Sequence, residues 1–240
     1  IAKALQALSE TRPDLPELLL RTFVLECPKT EIQIDLLFDF DQTKRSHPAL
    51  FIDCVKRAAT LSEDSTSLSG LFFGRFSTLS PSDDGEIIQF LELACEKIKD
   101  DEWLEEVDTS KFLDLIRDLL LLASLLMNQE IFEKVFNVVL ALLTLQKFDG
   151  FIVSSIGSPF SMWKGAISDL APWMETLYIE KLSSIQPTSP LYSEAQHLLK
   201  LIQSGEYKNL RDKPHLAKGQ IWRTYAVERA KKYSPEISQK

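Results

Sequence analysis

With 240 residues, 45% hydrophobic and 26% charged, the chain is long enough for one large domain or two small ones, and its composition excludes wholesale disorder. Only 8 residues are glycine, and with leucine abundant this favours helices joined by short polar turns over many-stranded β architecture. The net charge of −8 is uneven: residues 1–110 carry 22 acids and 11 bases, whereas residues 111–240 carry 13 acids and 16 bases.

Helix starts are marked in chain order. Thr30 and Gln33 form a capping-box pattern ahead of an apolar run. Pro48 follows Ser46-His47 at a first helical position. Asp83 and Glu86 precede Ile87, Phe90, Leu91 and Ala94, which recur at helical spacing. Asn128 followed by Gln129-Glu130 places a cap and then an acid in a first turn. Ser189-Pro190 opens a helix that Gly205 can close in the left-handed conformation. Helices are predicted near 1–9, 15–27, 31–40, 48–60, 67–79, 84–99, 110–127, 129–146, 160–170, 172–185, 190–204 and 215–233.

The centre of this pattern is Lys111–Gln146, two helices joined at Asn128 and apolar around most of their circumference. Such helices must be covered on most faces, so the hairpin is expected at the middle of a stack. Its core is expected to include Phe112, Leu115, Leu119, Leu122, Phe132, Val135, Phe136, Val139 and Leu142. The helices group into antiparallel pairs over 31–60, 67–99, 110–146, 160–185 and 190–233, a period of about 35–45 residues. In period and pattern, though not in residue consensus, this resembles HEAT-like arrays. The expected fold is all-α, with stacked helical hairpins forming a short irregular α-solenoid; a compact multi-helix bundle is the alternative. One domain spans 1–240, with a subdivision into 1–146 and 160–240 conceivable about a connector at 147–159. That connector, which leads into Phe160 and contains Gly150, Gly157 and Pro159, reads as a docked loop or as a lid.

The most apolar run, Leu119–Met127, ends at Asn128-Gln129-Glu130, so it reads as core and not as a membrane span. The opening residues lack a basic region followed by a long apolar run, so no signal peptide is expected. Cys27, Cys54 and Cys95 are widely spaced within apolar patterns, the usage of a reducing compartment. An intracellular location, cytoplasmic or nuclear, is therefore expected.

His47, His197 and His215 have no Cys, Asp or Glu at metal-ligand spacing, and no phosphate-cradling glycine pattern occurs. Gly70 and Gly74 read as a close helix contact. Asp101 and Glu105 lie one helical turn apart and could hold Mg²⁺ only if carboxylates on a facing helix completed the site; a solvated acidic turn is the simpler reading. No cofactor or metal is expected.

Two groups are candidates for partner contact. Trp163 and Trp173 lie in a stretch poor in charge, and tryptophan serves equally at hot spots and as a core cap. Lys218, Trp222, Tyr225, Arg229 and Lys232 share one face of a basic C-terminal helix. Such a face suits an acidic protein or a phosphate backbone, but the pI of about 5.0 disfavours nucleic acid. The simpler reading is that its aromatic residues anchor the last helix while the basic stems reach outward. The expected role is a non-catalytic scaffold or adaptor binding one or more proteins, with no membrane. The alternatives are a nucleic-acid-associated subunit of a nuclear complex and a Mg-dependent helical-bundle enzyme.

Overall fold

The computed structural model describes residues 12, 14–26, 47–61, 84–145, 147–148, 151–166 and 171–206. All regular structure among them is helical. The helices are α1 (Leu15–Leu20, continued by a π-turn over Arg21–Leu25), α2 (Pro48–Leu61), α3 (Asp84–Lys97), α4 (Asp101–Glu106), α5 (Thr109–Leu125), α6 (Gln129–Leu143), α7 (Ser158–Ala166), α8 (Trp173–Ser184) and α9 (Tyr192–Ser204). A second π-turn, Val153–Gly157, runs directly into α7. The predicted helices 1–9, 31–40, 67–79 and 215–233 lie outside the described residues, as do Cys27, the Thr30–Gln33 pattern, Gly70, Gly74 and His215.

The capping chemistry sets the helix boundaries. The Asn128 side chain accepts from the Ile131 amide at 3.2 Å and opens α6. Asp108 opens α5 by accepting from the Ser110 and Lys111 amides at 3.0 and 3.2 Å. Asp100 opens α4, accepting from the Trp103 amide at 3.0 Å and pairing with Lys56 of α2 at 3.2 Å. Gly205 ends α9 at φ +77°, the left-handed conformation only glycine adopts freely. Met127 takes φ +51° between α5 and α6, where a side chain is strained.

Helix α5 is the centre. Every residue from Lys111 to Leu126 is buried except Asp114 and Arg117, which are half-buried. It packs on α3, α6, α7 and the second π-turn. All nine core residues expected from the sequence are buried. The expectation that both helices of the hairpin are covered on most faces holds for α5 only. In α6, Phe132, Val135, Phe136, Val139, Leu142 and Leu143 form one buried face, while Gln129, Glu130, Lys134, Asn137 and Ala141 are exposed. Polar residues at 129, 130, 133, 134 and 137 interrupt the apolar pattern of α6 and small Ala141 continues their face, so that face can stay in water.

The connector docks on the core, as one of its two readings expects, but it is not a loop throughout. Residues 152–157 are helical, not loop, and the helical path begins ahead of Phe160. Phe148, Ile152, Ile156 and Phe160 are all buried; their four-residue spacing is a helical signal that Gly157 and Pro159 obscure. Proline inside a helix lacks a donor and crowds the carbonyl four residues back. The widened π-turn ends at Gly157, two residues ahead of Pro159, and a widened turn is one way for a helix to absorb such a defect. Phe148 stacks on Phe112 of α5, with ring centroids 3.9 Å apart. Beside it, Lys147 Nζ donates to the carbonyls of Leu104, Glu105 and Val107, satisfying the end of α4. No described helix is long and apolar enough to cross a membrane.

Cys54 and Cys95 are buried free thiols. Burial pushes them up to about 12 and about 11 respectively, so neither is a ready nucleophile.

Three outcomes are expected. Phe148→Ala removes a stacked, fully buried ring and should cost about 3–5 kcal/mol in urea unfolding; a loss below about 1 kcal/mol would mean that the connector does not dock as described. Under native conditions a maleimide should label Cys54 and Cys95 only as fast as the protein unfolds, which mass-spectrometric labelling kinetics would read. The Asp108 carboxyl is held below its usual range by the Ser110 hydroxyl and the Lys111 and Ser110 amides, and Asp100 by the Trp103 amide and Lys56. Because both values are depressed on folding, their contribution is present above about pH 4 and is lost as pH falls through the lowered values. Asp108→Ala should cost about 1 kcal/mol at pH 7 and flatten the acid side of the stability profile.

Candidate functional site at the aromatic cluster

Helices α6, α7 and α8 bring together five aromatic rings and the second predicted tryptophan. From α6, Phe132 and Phe136 are stacked at 5.9 Å. Tyr178 of α8 meets Phe136 edge-on at 4.8 Å and Phe160 of α7 edge-on at 4.8 Å, the geometry favoured by the ring quadrupoles. Phe160 in turn lies 5.5 Å from Trp163, and Phe132 meets Trp173 edge-on at 5.8 Å. Chain-distant helices contribute because their apolar residues recur every three to four positions and converge where the helices meet.

The two tryptophans have different environments. Trp163 is 1% exposed and belongs to the core, not to a presented surface. Its size and apolar flanks match both roles, and only the packing of α7 separates them. Trp173 is half-buried at the N-terminal end of α8, so it forms the rim of the cluster. Lys164 borders the cluster, pairing with Glu175 and lying 5.8 Å from the Trp163 ring centroid. Lys181 pairs with Glu133 at 2.5 Å, joining α8 to α6.

Polar satisfaction is incomplete here. The Tyr178 hydroxyl donates to the Ile156 carbonyl at a long 3.4 Å, and burial pushes the phenol far above its usual range. Ser155 Oγ, Ser158 Oγ and Trp163 Nε1 are buried and have no hydrogen-bond partner among the described residues. Each such group costs about 1–3 kcal/mol relative to its hydrated state. Sequence reasoning missed this feature: Ser155 and Ser158 fall in the predicted connector, and only burial turns their hydroxyls into a cost.

The other candidates separate cleanly. Lys218, Trp222, Tyr225, Arg229 and Lys232 lie outside the described residues. Asp101 and Glu105 are both exposed on the short helix α4, and no three His, Cys, Asp or Glu residues are grouped to hold a metal among the described residues. Among the described residues, the facing carboxylates that a Mg²⁺ site requires are not assembled around them. His197 is exposed on α9, and His47 is exposed, 3.8 Å from Glu17. Leu145 and Phe151 are exposed apolar residues at 39% and 38%, flanking the stretch that leads from α6 into the π-turn.

Trp173→Ala trims a half-buried rim residue, whereas Trp163→Ala empties a core position. The first should cost about 1 kcal/mol and the second about 3–5 kcal/mol in denaturant unfolding; equal costs would contradict the rim-and-core assignment.

No known family model, curated protein or solved structure matches the chain, so its reading rests on its own sequence and geometry.

Proposed function

We propose that the chain is a non-catalytic helical scaffold or adaptor that binds proteins within an intracellular complex, cytoplasmic or nuclear, and that its helices form a short HEAT-like α-solenoid. The architecture is supported by the order of packing. Helix α2 packs on α3; α3 packs on α5 and α6; α5 packs on α7 while α6 packs on α8; and α8 packs on α9. Most of these pairs join helices close in sequence, as stacked hairpins do, although α7 packs on α5 and the second π-turn reaches across to α9. The observation that carries the binding reading is Trp173, a large aromatic ring held half-buried at the rim of the aromatic cluster, edge-on to Phe132. A tryptophan already held in place by packing offers contact area at low entropic cost. Buried free thiols support a reducing compartment.

A second reading, favoured by one sequence observation, assigns nucleic acid to the basic C-terminal segment: residues 200–240 hold 10 bases against 4 acids. Lys218, Arg229 and Lys232 would contact phosphates there, and Trp222 and Tyr225 would stack on bases.

One pull-down from cell extract, run at low and moderate salt with a nuclease-treated arm, separates the two. The scaffold reading expects a discrete, nuclease-resistant set of proteins whose capture by Trp173→Ala falls by about tenfold, a hot-spot-sized loss. Loss of all partners on nuclease treatment, together with steep salt dependence abolished by reversing Lys218, Arg229 and Lys232 to Glu, would overturn it in favour of nucleic acid.

A further inference from the structure

We propose that residues 151–166, the π-turn with α7, form a strap that opens locally, ahead of the rest of the fold, and in doing so uncovers the aromatic cluster. The strap packs on α5 and on α9, and it carries Phe160, which meets Tyr178 edge-on, and Trp163, which packs against Phe160. Much of it is buried, yet several of its buried polar side chains lack partners among the described residues. Three of the five buried side-chain atoms without a partner among the described residues, on Ser155, Ser158 and Trp163, belong to it. Its helical ladder is interrupted twice, by the widened turn Val153–Gly157 and by Pro159, which donates no amide. Serine, glycine and proline are also poor helix formers.

Each defect raises the free energy of the closed strap, and water satisfies each serine hydroxyl and the indole N–H once the strap lifts. Local opening is selective because α5 has none of these backbone defects. It is a regular α-helix from Thr109 to Leu125, and its buried Ser124 hydroxyl donates to the Leu121 carbonyl at 2.6 Å. Segments with the lowest local stability are those that open for binding. On the scaffold reading above, the opened strap gives Trp163 the exposure that the closed fold denies it; the opening itself does not depend on that reading.

Hydrogen exchange followed by mass spectrometry on the full chain, with no partner added, tests the strap directly. Amides of 155–163 are expected to exchange at least about tenfold faster than those of 113–125 in α5 and 132–142 in α6. The double variant Ser155→Ala, Ser158→Ala removes two orphaned hydroxyls and is expected to slow strap exchange by about tenfold, toward the α5 rate. Exchange of the strap at the α5 rate in the wild type would overturn the proposal, as would faster strap exchange in the double variant. Neither outcome depends on which partner, if any, the pull-down finds.

Discussion

The whole architecture depends on covering α5. From Lys111 to Leu126 it presents buried side chains in every direction, with only Asp114 and Arg117 reaching half-buried positions. A helix satisfies its own backbone hydrogen bonds, so burying it completely carries no main-chain penalty beyond its ends. Asp108 and the turn at Leu126–Met127 take care of those ends. What remains is apolar area that has to be removed from water on all sides, at about 25 cal/mol per Å². Four separate elements meet that demand: α3, α6, α7 and the second π-turn. The other helices are then required to cover the covering layer.

The same demand explains the strap's character. The segment closing one side of α5 contains Ser155, Gly157, Ser158, Pro159 and Ser161, all buried. Small residues let two helices approach closely, but three of these carry hydroxyls that must be satisfied in an apolar interior. Those of Ser155 and Ser158 are not. Close packing and hydrogen-bond satisfaction pull in opposite directions there, and packing wins in the closed state. The aromatic cluster compensates through edge-on contacts centred on Tyr178, one of them made by the strap's own Phe160.

Charge is segregated in a way that packing does not require. Exposed acids of α3 and α4, among them Glu86, Glu92, Glu96, Asp101, Glu102, Glu105 and Glu106, belong to the acidic first half of the sequence. Several cations nearby are occupied locally: Lys56 by Asp100, Lys97 by Asp53 and Lys134 by Glu92. The exposed Lys134–Glu92 pair contributes about 0–1 kcal/mol, so its value lies in orienting helices and shaping the surface field more than in stability.

The sequence by itself determined the helical class, the position of the central hairpin and its core residues, because caps and 3.6-residue periodicity are local properties of the chain. Asn128, Gly205 and Pro48 act at their own helix ends whatever surrounds them. Tertiary structure decided the rest. It made α6 one-sided where its composition suggested burial all round, and it turned the stretch before Phe160 from connector into core. Local punctuation at Gly157 and Pro159 argued against a helix, and only packing on α5 could override it. It also separated two tryptophans that look alike in sequence, burying Trp163 and leaving Trp173 at the rim. The physical reason is the same in each case: periodicity specifies that a face is apolar, whereas which face is covered depends on helices many residues away.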